Sequence, residues 1–376
     1  MIQLQVNGDN YVDFKSAEYT ASMLDFTNEA TFQVGLKDFE QPPFFPGDDA
    51  KVLVDGEVVM TGYIYDAQVE YEANKGSGNH VLTYLVRDYT ADFADSDIDN
   101  LNDLANSLSL ADIIREVISH VGASNIEVSD EVDGLEDFDP KADGIAPELG
   151  ENCFDYCDRL AKKRQVLITT NAEGNISLTR NSGVRYKGKI QNSFDDEAGN
   201  NIISGNYTFT FEGVYNRYVV RSSLGTASAR SPFADAGADS NSQVSDQFGE
   251  FIDDTVRTGR QKVIVAEEAS KSADNSVRAK WEADFGRTKN RQYTIVVRDH
   301  SLQGEVYQPN RIVQVYDDDA GVNDFLLIES VRCYESPDDG RRTELVLVDK
   351  ESFSLTVSEP QRQKKSKTKV SIFDDE

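Results

Sequence analysis

The sequence predicts a mainly β, multidomain fold with α+β parts: two related small β-barrel or roll domains plus an α+β domain. Three observations predict it. Short alternating strands separated by turn residues fill both ends of the chain, two segments of helical periodicity lie between them, and a 43-residue pattern near the start recurs near the end. At roughly 150 residues per domain, 376 residues suffice for two or three cores.

The first unit, residues 1–95, reads as strands over Met1 to Val6, Thr31 to Leu36, Lys51 to Val54, Glu57 to Tyr65, Gln68 to Glu72 and His80 to Val86. Pro42-Pro43 and Pro46-Gly47 break the chain, Asp55-Gly56 is a tight hairpin turn, and Asn74 to Gly78 is a longer loop. Closely spaced strands without helices indicate a small barrel or roll.

The period then changes. Leu110, Ile113, Ile114, Val117, Ile118 and Val121 recur at three and four residues between a Ser109 cap and a Gly122 stop, which makes a helix. After Pro147, Cys153, Phe154, Cys157, Leu160 and Ala161 share the face of a second helix that ends in Lys162-Lys163-Arg164. A hairpin follows, Val166 to Thr170 and Ile176 to Arg180, so 105–182 reads as the α+β domain.

Strands return at Ile202-Ile203, Tyr207 to Phe211 and Tyr215 to Arg221, and again at Gln292 to Arg298, Arg311 to Val315, Asp324 to Tyr334 and Arg342 to Val348. Residues 186–221 with 290–358 thus read as the second barrel or roll. Between its parts, 222–289 reads as an insertion: a polar excursion from Ser222 to Asp246, then a helix over Ala273 to Phe285 with Val277, Trp281 and Phe285 on one side. Residues 359–376 read as a flexible basic tail.

Lys51 to Phe93 and Arg311 to Phe353 have equal length and each follows a proline. Thr83, Leu85, Val86 and Phe93 lie 260 positions before Thr343, Leu345, Val346 and Phe353. Either one chain carries two similar barrels, or two β meanders look alike by chance. With two barrels per chain, a cyclic trimer would present six roughly equivalent units about one axis.

Charge and composition narrow the function. Against 67 Asp and Glu stand 38 Lys and Arg, a net charge of −29, which argues against wrapping duplex nucleic acid. Three cysteines cannot staple a secreted scaffold. Apolar runs of about four residues fall far short of the roughly 20 that cross a bilayer, so a soluble chain without membrane insertion is expected. The start, Met1 to Val6, alternates like a strand and unlike an export signal.

Three stretches carry a resemblance. Val58 to Ile64, Phe154 to Ala161 with its hairpin through Gly174 to Arg180, and Ile203 to Tyr207 through Val214 to Tyr218 occur in an order that resembles the baseplate hub protein of Mu-like contractile-tailed phages, over about residues 1–358. The resemblance implies a structural virion protein of the tail baseplate, assembled in the bacterial cytoplasm. It would close as a homotrimeric ring joining the tail tube protein to the central membrane-piercing spike, beside other baseplate proteins and around the DNA passage. It brings no shared active site, so neither enzymatic activity nor a cofactor is expected. A cell-wall hydrolase and a carbohydrate-binding adhesin are the alternatives.

Candidate chemistry is sparse. Asp95, Asp97 and Asp99 have the first spacings of a calcium loop, but Asn100 and Asn106 stand where its glycine and closing glutamate belong. Asp317 to Asp319 is a second acidic run. Cys153 and Cys157 lie one helical turn apart without further ligands; with Cys333 they read as small buried hydrophobes. His80, His120 and His300 are isolated. Trp281 reads as a core anchor, with a ligand platform as the alternative. Lys364, Lys365, Lys367 and Lys369 form a solvated tail or a docking segment for an acidic partner surface.

Overall fold

In the computed structural model, the described residues are 1–36, 42–71, 80–99, 108–132, 134–139, 145–148, 150–195, 197–223, 246–266 and 272–353. The first unit contains β1 (Ile2–Val6), β2 (Asp9–Tyr11), β3 (Ser16–Ser22), β4 (Glu29–Leu36), β5 (Asp49–Val54), β6 (Glu57–Glu70), β7 (His80–Asp88) and α1 (Thr90–Ala94). The middle contains α2 (Leu110–Val121), β8 (Val128–Asp130), α3 (Cys153–Lys163), β9 (Leu167–Thr170) and β10 (Ile176–Thr179). The remainder contains β11 (Arg185–Asn192), β12 (Ile202–Phe209), β13 (Arg217–Ser223), β14 (Asp246–Ile252), β15 (Gln261–Val265), α4 (Ser272–Asn290) and β16 (Arg291–Arg298). After these come β17 (Ser301–Leu302), β18 (Glu305–Val306), β19 (Ile312–Asp317), β20 (Val322–Ser336) and β21 (Gly340–Asp349).

Alternation builds the strands. In β1, Ile2, Leu4 and Val6 are buried while Gln3 and Gln5 stay at the surface. Asp55 and Gly56 both have positive φ, 51° and 87°, which matches a two-residue hairpin to the right-handed twist of β5 and β6. Helix α2 starts where the Ser109 hydroxyl accepts from the Asp112 N–H at 3.1 Å and stops at Gly122 with φ 76°. For α3 the cap is Asn152, whose Oδ1 accepts from the Phe154 N–H at 2.9 Å.

The fold is mainly β with α+β parts, as expected, but the expected barrels are not closed. Thirteen strands form one sheet in the order β12-β16-β21-β20-β3-β4-β7-β6-β5-β1-β2, with β19 and β11 branching from β20. One apolar cluster draws on both ends of the chain, including Phe32, Val52 and Ile64 from one and Tyr293, Val315 and Leu345 from the other. A one-residue bulge lets a strand bend without stopping, and this accounts for two differences. The two strands expected from Glu57 and from Gln68 are one strand, β6, which runs to Glu70 and bends between Ile64 and Asp66, and those expected from Ile202 and from Tyr207 are one strand, β12, which ends at Phe209.

Strand order repeats within the chain. The series β3-β4-β7-β6-β5 recurs as β12-β16-β21-β20-β19, every neighbouring pair antiparallel in both. The longest strand of each series, β6 and β20, carries a bulge at the same place, after Ile64 in one and after Ile328 in the other. Inward residues Leu82, Tyr84 and Val86 match Thr343, Leu345 and Leu347, an offset of 261. The 260 read from the sequence pairs half-buried Thr83 with fully buried Thr343, and so swaps the faces of the sheet.

The α+β part has its own core of Ile113, Ile114, Val117, Tyr156, Leu160, Ile176 and Leu178 around α2, α3 and a three-stranded sheet β8-β10-β9. Its hairpin docks on the first unit: the Thr61 hydroxyl donates to the Ala172 carbonyl at 2.9 Å, and a Cβ on Gly174 would lie 2.3 Å from the Thr61 carbonyl oxygen. The region 222–289 holds more structure than the expected loop and helix. Strands β14 and β15 flank β13, and the face carrying Tyr218 and Val220 packs on Ala279 and Ala283 of α4. Most of the expected polar excursion, residues 224–245, and the tail with Lys364, Lys365, Lys367 and Lys369 lie outside the described residues.

Gly62 tests the closeness of β6 and β7. A Cβ there would stand 1.9 Å from the Arg87 carbonyl oxygen, which is backbone and has little room to move. We expect Gly62→Ala to destabilise the fold by about 2 kcal/mol or more, read as a lower midpoint in urea unfolding. An unchanged midpoint would show that the two strands separate freely.

Candidate functional site

The described residues offer junctions and exposed edges, beginning with the seam between the two strand series. The second half of β20 pairs antiparallel with β3, Ser330 opposite Ser22 through Glu335 opposite Ala17. Across it the Arg332 guanidinium donates to both Glu18 carboxylate oxygens, at 2.7 and 2.8 Å. Both side chains are about 40% exposed, so this pair contributes under about 1 kcal/mol and the backbone ladder and burial of Tyr19 and Cys333 hold the seam. Nearby, the amino group of Met1 meets Asp55 and Glu335, while Arg341 also reaches both carboxylates, tying the amino terminus to β20 and β21.

His300 completes this cluster. Fully buried, it sits 3.0 Å from the Thr343 hydroxyl through Nδ1 and 3.0 Å from Glu335 through Nε2. Burial opposes ionisation of Glu335, but the hydrogen bonds from His300 and the Ile2 N–H, together with the amino terminus, hold its carboxyl below the usual range. The residue acts as a cross-brace with no open approach for a reactant.

A second buried network links the first unit to the α+β part. Asp88 accepts from the Asn28 N–H at 2.6 Å and from the Thr90 hydroxyl at 2.5 Å; Thr90 and Thr170 hydroxyls lie 2.7 Å apart, and Thr170 donates to the Phe26 carbonyl at 2.6 Å. Burial pushes the Asp88 carboxyl up to about 7, with the hydrogen bonds and Arg87 pulling the other way. The sequence reading passed over this residue, although Leu82, Tyr84, Val86 and Asp88 continue one inward period.

Between the units lies a cavity of about 460 Å³, lined among others by Tyr19, Asn28, Glu131, Thr170, Gln308 and Arg311. Glu131, the one carboxylate among the described lining residues, accepts from the Ser177 and Thr179 hydroxyls at 3.0 and 3.3 Å. Acid/base work on a glycosidic bond calls for two carboxyl groups facing each other, and this lining supplies one.

The residues singled out in the sequence go to separate structural duties. Asp95 pairs with Arg87 at 3.1 Å, Asp97 bridges to Asn152, and Asp99 lies 2.6 Å from His120, so the three do not converge; Asn100 and Asn106 lie outside the described residues. Asp317 caps the turn at Asp319 and Ala320 and accepts from Asn192 and Tyr293, and Asp318 accepts from the Phe194 N–H and the Tyr316 hydroxyl. Among the described residues, no group of three His, Cys, Asp or Glu side chains is placed to hold a metal ion.

Cys153, Cys157 and Cys333 are buried, and burial pushes the Cys153 thiol up to about 11 and Cys333 to about 12, which leaves no thiolate for chemistry at neutral pH. His80 packs edge-on to Tyr71. Trp281 stacks on Phe285, its ring centroid 5.4 Å away, among Met23, Leu167, Ile312, Leu327 and Val348. Its expected companion Val277 is instead 47% exposed. None of the described helices is long and apolar enough to cross a membrane.

What remains exposed is apolar edge and face. Strand β12 ends the large sheet and shows Ile203, Phe209 and, just beyond it, Phe211; the second half of β6 shows Tyr65, Val69 and the adjoining Tyr71. The face of the small sheet turned away from α4 shows Phe248, Ile252, Val263 and Val265, the last 75% exposed. Large apolar groups gathered on edges and one face mark protein contact surfaces.

This geometry of sheets and edges has known parallels. Residues 1–80 match the family model described as Mu phage baseplate assembly protein GpP-like, N-terminal. Over 93% of this chain and 98% of the other, the fold is similar to the 43 kDa tail protein of prophage MuSo2 from Shewanella oneidensis, at 23% identity and TM-score 0.75. The tail protein of Neisseria meningitidis MC58 is similar at 20% identity and TM-score 0.73, covering 94% and 97% of the two chains. An E. coli type VI secretion component, itself described as structurally similar to T4 tail proteins gp27 and gp5, is similar at 10% identity and TM-score 0.55 over 92% of this chain and 76% of its own. No curated protein matches. At these identities the structural likeness is one of fold, and the family model matches residues 1–80 alone.

Asp88 gives this region a pH signature. Between about pH 4 and 7 the folded chain keeps a proton that the unfolded chain has released, so this group's contribution to stability declines as pH rises through that window. In urea unfolding from pH 4 to 8, Asp88→Asn should gain stability relative to the parent chain as pH rises to about 7 and hold a constant difference above it. A difference that is flat throughout would show that Asp88 is not the proton holder.

Proposed function

We propose that this chain is a structural protein of a Mu-like tail baseplate: a homotrimeric hub that joins the tail tube to the central spike and surrounds part of the DNA passage in the virion. The observation that carries this reading is the repeat, because two like strand series in one chain let three chains present six like units. Such a ring can meet a sixfold tube on one side and a threefold spike on the other. The GpP-like domain and the tail-protein fold support the baseplate setting. The apolar face of Phe248, Ile252, Val263 and Val265 is a candidate contact for another baseplate protein.

The net charge of −29 fits a conduit. A wall rich in Asp and Glu repels passing DNA, whereas clustered cations would hold it through counterion release. The hydrolase alternative draws no support from a cavity with a single, hydroxyl-tied carboxylate. Release of fragments from murein by the purified protein would reinstate it.

Mass in solution tests the reading. Analytical ultracentrifugation should give three times the 41.9 kDa chain mass, with the trimer favoured as concentration rises. A monomer at the highest attainable concentration would overturn the hub reading.

A further inference from the structure

We infer that a second copy of this chain docks by β-sheet extension, its β12 adding to the open edge of β6 at residues 66–71. This deepens the homotrimer reading and rests on it. The template for the contact lies inside the chain. One edge of β20 is shared by two strands: its first half pairs with β19 from Val322 to Leu327, and its second half pairs with β3 from Ser330 to Glu335. The corresponding edge of β6 is half used. Its first half pairs with β5 as far as Tyr63 opposite Asp49, and residues 66–71 have no strand partner on that side among the described residues.

The missing partner can be read from the repeat. Strand β3 corresponds to β12, because Tyr19 opposite Ala30 occupies the place of Tyr207 opposite Tyr293. Strand β3 has β20 on its far side, whereas β12 pairs with β16 and, among the described residues, ends the sheet. Each chain therefore carries one filled junction, β20 with β3, and the two unfilled halves of a second, β6 and β12. Transposing the filled register through the bulges sets Ala67 opposite Phe209, Gln68 opposite Thr208, Val69 opposite Tyr207 and Glu70 opposite Asn206.

The side chains agree with that register. Phe209, 66% exposed, would cover Ala67, and Val69, 40% exposed, would lie against Tyr207 as Cys333 lies against Tyr19. The ion pair of Arg332 with Glu18 is replaced by two amides, Gln68 and Asn206, which can donate to and accept from each other. Strand β12, Ile202-Ile-Ser-Gly-Asn-Tyr-Thr-Phe209, holds no charge and no proline, the devices by which proteins usually protect an edge strand from pairing. The contact is head to tail, so it forms rings or filaments; a junction between chains that copies the one within the chain closes a ring of six units from three chains.

Paired cysteines test the register. Gln68 and Thr208 are both exposed, so a Gln68→Cys, Thr208→Cys chain should fold as the parent does, and the three native cysteines are buried. Opposite positions on paired strands lie within disulfide reach. On mild oxidation the double variant should give covalent dimers and trimers on a non-reducing gel, while each single variant and the offset pair Gln68→Cys, Ile203→Cys should stay monomeric there. Phe209→Glu, a substitution at an exposed site, should shift the sedimenting species from trimer to monomer. A trimer that neither cross-links nor responds to Phe209→Glu overturns this inference and leaves the hub reading standing, and a parent chain that sediments as a monomer overturns both. Covalent dimers from Thr208→Cys alone would mean that β12 pairs with itself, and would also overturn it.

Discussion

Continuity of backbone hydrogen bonding through β20 is the constraint on which the rest of the structure depends. A strand of 15 residues is long enough to serve two neighbours on one edge, and its bulge after Ile328 turns the second half toward β3 without ending the strand. Residues more than 300 positions apart thereby share one ladder, and an apolar cluster that neither series could complete alone closes over both. The ion pairs along the seam are too exposed to hold it; they set register, while burial and the ladder supply the free energy.

Charged groups inside the molecule do related work at other seams. Glu335 is kept ionised by His300 and the amino terminus, whereas Asp88, with neutral donors around it, is pushed toward its protonated form. Asp253 shows the first pattern again: its carboxyl is held low against burial by Arg287 and Thr255. In each case the carboxylate binds segments distant in sequence, as Asp253 does in joining the end of β14 to α4. Carboxyl groups used as braces are committed to internal partners, as Glu131 in the cavity is to Ser177 and Thr179.

Much of the strand pattern was legible because alternation is a strong signal where the inward residues are large. It failed where they are small or the outward ones dominate. In β3 the inward positions are Ala17, Tyr19 and Ala21, two of which carry little hydrophobicity. In β11 the pattern of Arg185, Lys187 and Lys189 around Tyr186 and Gly188 reads as polar loop. Helix α4 was found through Trp281 and Phe285; its sheet-facing side, Ala279 and Ala283, carries little hydrophobicity, and Val277, one turn before Trp281, is exposed. The seam itself was illegible: strand pairing between residues 17–22 and 330–335 is a property of the ladder and leaves no local pattern.

The repeat illustrates how a correct similarity can carry a wrong register. Thr83 with Thr343 and Leu85 with Leu345 are identities at offset 260, and identity is persuasive. Burial decides otherwise, because a slip of one residue exchanges the two faces of a strand, and no sheet with one buried face tolerates that. The same reasoning bears on the surface. A net charge of −29 keeps free copies apart, but at physiological salt that repulsion reaches only about 8 Å. It therefore matters most where charges would come into contact, and β12 holds none. An edge freed of charge in so acidic a chain is a place where approach meets little opposition, and where the backbone groups of an end strand can pair with another strand.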